Sequence, residues 1–324
     1  VPASPDEKCG GNLPRDAQSL SHSPLHDEQQ RKPISLQLNV EQAAMNLRPF
    51  LAATVLSGTS IAALPAAAQS NAEQAQARYN AGDFPEARAL YQKACISDGK
   101  DEACHNLGSM AWRGQGGAKD PVQARDAYRR GCEAGLLKSC GQYGALLKDG
   151  LGGPADPAEA LGPLGLACKA GEAGACYNQG QILYFGDAGE RRFEDARTAF
   201  AGACPGYAAD GCYALGIMKR DGQGGAVDTA GANKAFSIAC ENGNAEGCIE
   251  SGVGYYDSGQ FAQARDQFAQ ACNNGAAGGC MNAGMMYRDG TGAAPDHARA
   301  KRYFTNGCKL GIQDGCAMAE ALGQ

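Results

Sequence analysis

"CHNLGSMAWRGQGGAKDPVQARDAYRRGC", residues Cys104 to Cys132, holds one complete structural unit. After the first cysteine, Leu107, Gly108 and Ala111 place apolar and small residues at helical spacing. "GQGG", Gly114 to Gly117, breaks that helix, and Asp120-Pro121 then supplies an N-cap followed by proline at the first helical position. A second helix runs through Ala124, Ala127 and Tyr128 to Cys132. The stretch therefore predicts helix, loop, helix, with a short turn leading onward.

Fourteen of the 15 cysteines repeat this frame as seven brackets. They are Cys95 and Cys104, Cys132 and Cys140, Cys168 and Cys176, Cys204 and Cys212, Cys240 and Cys248, Cys272 and Cys280, and Cys308 and Cys316. The second cysteines recur at steps of 36, 36, 36, 36, 32 and 36 residues, a period that signals a solenoid of repeated supersecondary units. Two units are shorter: "YNAGDFPEARALYQKAC" (Tyr79 to Cys95) and "YDSGQFAQARDQFAQAC" (Tyr256 to Cys272) align residue for residue, with a tight turn replacing the glycine-rich loop. Four missing loop residues account for the single step of 32. A glycine stands four residues after nearly every second cysteine: Gly108, Gly144, Gly180, Gly216, Gly252 and Gly284. Glycine costs about 1 kcal/mol in a helix interior, so its recurrence calls for a close neighbour, expected to be another helix backbone.

"NLGSMAWRGQGGAKDPVQARDAYRRGCEAG" resembles the Sel-one-like repeat (SLR), a relative of the tetratricopeptide repeat, and the paired cysteines resemble its cysteine-rich secreted branch. The two shorter units look more like tetratricopeptide repeats. The resemblance covers residues 71–324 and implies an all-α fold, a right-handed α/α superhelix whose first helices line a concave, protein- or peptide-binding face. Some cysteine-rich members are described as penicillin-binding proteins or β-lactamases.

Each bracket admits three chemistries. Residues eight apart on a straight helix lie about 12 Å apart along the axis, too far for a disulfide, so a disulfide requires a turn inside the bracket. Gly135, Gly171, Gly206, Gly243, Gly275 and Gly311 stand where helix C-caps place one. A staple of this length contributes about 2.5 kcal/mol in the chain-entropy description. Structural zinc prefers cysteine pairs two to four apart converging in fours, and redox catalysis prefers Cys-x-x-Cys, a motif the chain lacks. Disulfides are the favoured reading.

The start of the chain reads as a processing signal. Met45 and Arg48 open it, an apolar stretch runs from Phe50 to Leu64, and Ala66-Ala67-Ala68 forms a small-residue cleavage site. Ser57, Gly58 and Ser60 interrupt that stretch, which is also too short to span a bilayer. Residues 1–44, with Cys9, are expected to be absent from the mature protein, 45–68 to be the signal peptide, and 69–324 to be the solenoid, in the periplasm or secreted. Beyond residue 68 the chain holds 24 Lys/Arg against 29 Asp/Glu, a net of −5, which argues against nucleic acid or anionic lipid as partner.

No catalytic constellation emerges. "SDGK", Ser97 to Lys100, spells the Ser-x-x-Lys of β-lactamases, but Ser-Asp-Asn and Lys-Thr-Gly are missing from the chain. His105 and His297 stand far apart without a carboxylate-histidine cluster, and the "GQGG" loops lack the Lys-Ser/Thr of phosphate-binding loops. No metal or cofactor is expected. A β-lactamase-like or penicillin-binding hydrolase acting on β-lactams or cell-wall fragments rests on the resemblance alone. On the family geometry, positions one, five and eight after each second cysteine face the partner. They include Trp112, Tyr177, Tyr184, Tyr213, Ile217, Arg220, Tyr256, Met285 and Arg288, an apolar and aromatic set with two arginines for carboxylates. Padding between successive repeats is the competing role for the same side chains.

Overall fold

The computed structural model describes residues 70–97, 101–204 and 209–323. The upstream segment 1–44 with Cys9, the expected signal 45–68, Lys100 and Gly206 lie outside the described residues. Fifteen helices and no strand occur among the described residues. They are α1 (Asn71–Asn80), α2 (Phe84–Ser97), α3 (Asp101–Arg113), α4 (Pro121–Glu133) and α5 (Leu137–Asp149). There follow α6 (Pro157–Lys169), α7 (Ala173–Phe185), α8 (Phe193–Ala203), α9 (Ala209–Arg220) and α10 (Thr229–Glu241). The last five are α11 (Ala245–Asp257), α12 (Phe261–Asn273), α13 (Ala277–Asp289), α14 (His297–Lys309) and α15 (Gln313–Ala321).

Each helix packs on the next along the chain, and alternate helices also touch: α5 on α7, α11 on α13, α6 on α8, α12 on α14. Odd-numbered helices (the A helices) thus form one layer and even-numbered ones (the B helices) another, an α/α solenoid in which each unit contacts its neighbours. Alanine and cysteine fill much of the core, with large residues from both layers: Tyr91, Tyr128, Leu164, Phe200, Phe236, Phe268 and Phe304 of the B helices are fully buried, as are Met110, Leu146, Ile182 and Ile217 of the A helices.

Local signals set the helix ends. Asp120, Asp156, Asp228 and Asp296 cap B helices by accepting the backbone N–H three residues on, at 2.8–2.9 Å, and Pro121 and Pro157 follow the first two as expected. Inside the brackets the chain turns as anticipated: Gly135, Gly171, Gly243, Gly275 and Gly311 have φ between 91° and 102°. At the α4 end, Gly135 N–H donates to Cys132 and Leu136 N–H donates to Gly131, the paired bonds of a Schellman motif.

The helical glycines make room for a side chain, not for a helix backbone as the sequence suggested. A Cβ on Gly180 would lie 2.6 Å from the Phe200 ring, and one on Gly252 would lie 2.7 Å from Phe268. Gly108 meets Tyr128 in the same way, Gly284 meets Phe304, and Gly216 meets Phe236 closer still. Only at Gly144, against Leu164, is the neighbour aliphatic, and there too it is a side chain that comes nearest. Six A helices, α3, α5, α7, α9, α11 and α13, thus carry a notch into which the large B-helix side chain of the same pair fits.

The glycine-rich loops lie on the preceding pair. Gly152 presses on the Pro121 backbone, while Arg125 of α4 donates from Nη1 to Pro154 O at 2.9 Å. Arg88 and Arg197 reach Ala118 O and Ala226 O in the same manner, each at 3.0 Å. These loops join neighbouring units, as connectors would.

Candidate functional site

All seven brackets close as disulfides. Cys95 bonds to Cys104, Cys132 to Cys140, Cys168 to Cys176 and Cys204 to Cys212. Further along, Cys240 bonds to Cys248, Cys272 to Cys280 and Cys308 to Cys316. Their Cα–Cα distances run from 4.2 to 4.9 Å, far below the axial separation of a straight helix. Five bonds tie the described end of a B helix to the start of the next A helix across a described glycine turn; the first and fourth span residues outside the described set. The approach requires small side chains. A Cβ on Gly279, the residue before Cys280, would meet the Cys272 backbone nitrogen at 2.9 Å. The sulfurs are also withdrawn from solvent on the A-helix side: Cys140, Cys176, Cys212, Cys248 and Cys280 are fully buried. Among the described residues no group of His, Cys, Asp and Glu could hold a metal ion, and no helix is long and apolar enough to cross a membrane.

The proposed partner-facing residues divide into two sets. Tyr184, Tyr213 and Ile217 are buried, with Ile217 at 0% exposure, and belong to one core cluster with Phe200 and Phe236. Their register is correct but their environment is intramolecular: Tyr184 stands edge-on to Phe185 and Phe193. Trp112, Tyr177, Tyr256 and Met285 remain partly exposed while packing against core clusters. Burial, with Asp210 nearby, raises the Tyr177 hydroxyl above its ordinary range, so it stays protonated at neutral pH.

The two arginines are already paired. Arg220 donates to Glu250 Oε2 at 3.0 Å and to Asp221 at 2.8 Å, and Arg288 donates to Asp289 at 2.6 Å. Burial opposes the Arg220 charge, but Asp221 and Glu250 outweigh it and hold the guanidinium above its usual value. Burial lifts the Glu250 carboxyl, with Arg220 offsetting only part of the rise. Arg220 and Glu250 thus link α9 to α11 across the A layer. Lys148 donates to Gln181 at 2.9 Å between α5 and α7, and His105 shares a 3.1 Å hydrogen bond with Ser139 between α3 and α5. Positions one, five and eight therefore couple successive A helices, a role their spacing alone does not reveal.

Burial lowers the His105 pKa to about 4, Lys138 lowers it further and Glu102 opposes, so the imidazole is neutral at pH 7. Ser97, at the end of α2, donates its hydroxyl to the carbonyl of Lys93. Lys100, the other end of that pattern, lies outside the described residues.

Two layers of paired helices with a glycine notch, a capped B helix and a cysteine staple define a solenoid of short helical repeats. The Sel1 repeat matches at residues 81–98, 101–136, 138–171, 209–244 and 277–312, and the chain belongs to the Sel1 repeat family. Among solved structures it is similar to c5321, a protective antigen of uropathogenic Escherichia coli displaying an SLR fold (21% identity, TM-score 0.68). That match covers 77% of this chain and 55% of c5321, so the chain spans little more than half the length of that relative. A Sel1 repeat protein from Oxalobacter formigenes matches at 22% identity and TM-score 0.57, over 74% of this chain and 99% of its own. At these identities the likeness concerns the fold. Among curated proteins, none matches the sequence significantly.

Proposed function

We propose that this protein is an exported, disulfide-stapled scaffold that binds a protein or peptide along its layer of A helices. The observation that carries the reading is the partial exposure of Trp112 on α3, Tyr177 on α7, Tyr256 on α11 and Met285 on α13, all A helices, over a cross-linked base. Half-buried aromatics on a fixed framework suit partner anchoring, because little side-chain entropy is lost on contact. Seven disulfides require an oxidising compartment, which supports export through the signal at 45–68.

The test uses oxidised protein immobilised in an extract of exported proteins. Trp112→Ala combined with Tyr256→Ala should abolish capture of the partner while the protein remains folded by circular dichroism. Capture that survives both substitutions sinks the proposal. Trp112 is the single tryptophan of the chain, so its fluorescence should shift when the partner binds.

A further inference from the structure

The contact between α10 and α11 is built from short or polar residues at positions that most other units fill with larger side chains. At the third position after the second cysteine, the other units carry Leu107, Tyr143, Gln179, Leu215 and Ala283, whereas α11 has Ser251. At the sixth they carry Met110, Leu146, Ile182, Met218 and Met286, whereas α11 has Gly254. The B-helix arginine that reaches the next loop (Arg88, Arg125, Arg197) is replaced in α10 by Asn233, and the next unit is the one with the short turn. Three short or polar side chains and a missing loop coincide around a cavity of about 380 Å³.

Its wall mixes polar and apolar surface and contains no carboxylate: Asn233, Lys234, Ser237, Ser251, Tyr255 and Ser258 contribute most of it. Ser251 forms the floor at 2% exposure, and Lys234 stands exposed at the rim. A Cβ on Gly254 would lie 2.6 Å from Asn233 Oδ1, so the glycine lets the amide lie flat against α11. Asn233, Lys234 and Ser251 make no side-chain hydrogen bond or ion pair with the described residues. One unpaired cation, one unpaired amide and adjacent hydroxyls match a ligand carrying a carboxylate next to an amide.

We propose that this cavity binds the terminal carboxylate and adjoining amide of an acylated amino acid or peptide. Lys234 takes the carboxylate, Asn233 pairs with the amide, Ser251 donates to the remaining oxygen, and the Tyr255 ring flanks the side chain. The volume lies at the lower end of the range for small-molecule sites, enough for a single residue. The cavity uses the third and sixth positions of α11, not the first, fifth and eighth, so it is separate from the proposed partner face and either can fail alone.

The test measures binding of N-acetyl-L-alanine and of penta-alanine by calorimetry, each with a free or an amidated carboxyl terminus. The free acids should bind at least about tenfold more tightly than the amides, and Lys234→Gln should remove that preference at unchanged melting temperature. Whichever of the two acids binds better identifies the source, free amino acid derivative or peptide end. Ser251→Leu with Gly254→Met, which restores residue types present at positions 107, 215, 110 and 218, should fill the cavity and abolish binding while the protein remains folded. Should that variant not fold, the acid-against-amide comparison and Lys234→Gln still decide. No binding of either acid, equal binding of acid and amide, or binding that survives Ser251→Leu/Gly254→Met overturns the proposal.

Discussion

At the scale of single residues, glycine separates two physical roles. Gly180 is tolerated in α7 because the Phe200 ring occupies the space of its missing side chain, and Gly174, in the first turn of the same helix, faces nothing within 4 Å. Gly180→Ala should therefore destabilise the protein by about 2 kcal/mol through overpacking, while Gly174→Ala should stabilise it by about 0.5 kcal/mol through helix propensity. Opposite signs in thermal unfolding check the distinction. His105 gives a second residue-scale prediction. Its pKa is about 4 in the folded chain against 6.5 when unfolded, so between these values the unfolded state binds more protons. Stability is then fullest above pH 6.5, falls as the pH drops, and by pH 4 has lost about 3 kcal/mol from this group. His105→Gln should flatten that part of the stability-pH curve, and chemical denaturation from pH 7 to pH 4 measures it.

At the scale of elements, the helix boundaries were legible because their chemistry is local. Asp120 followed by Pro121 caps α4 in the structure as the dipeptide predicts, accepting Gln123 N–H at 2.9 Å. Asp120→Ala should cost about 1 kcal/mol, and Asp120→Asn should recover most of it, as read from guanidinium denaturation. The staple between Cys132 and Cys140 acts on the α4–α5 joint. Replacing both cysteines by alanine should cost about 2.5 kcal/mol, with faster amide exchange concentrated at residues 131–141. What spacing could not show was the partner of each face. Tyr184, Tyr213 and Ile217 share the register of Trp112 and Tyr177, yet the first three lie inside a core cluster. Helical periodicity says which residues share a side. It does not say which residues on that side the stacked units will bury.

At the scale of the whole molecule, stability comes from many equivalent joints, not from one large core. Alkylation of the denatured, unreduced protein should leave all fourteen bracket cysteines unlabelled, and labelling several of them would contradict the staple arrangement. The sequence by itself determined the repeat, the helix pairs, the turn inside each bracket and the small-residue frame, because each follows from bonds or caps spanning fewer than ten residues. Only the tertiary structure decided that the helical glycines receive large B-helix side chains, that Arg220 is held by Glu250 some thirty residues away, and that Ser251 and Gly254 leave a cavity. Those outcomes depend on how one unit stacks on the next, and the volume between two helices is a property of both, which neither helix encodes alone.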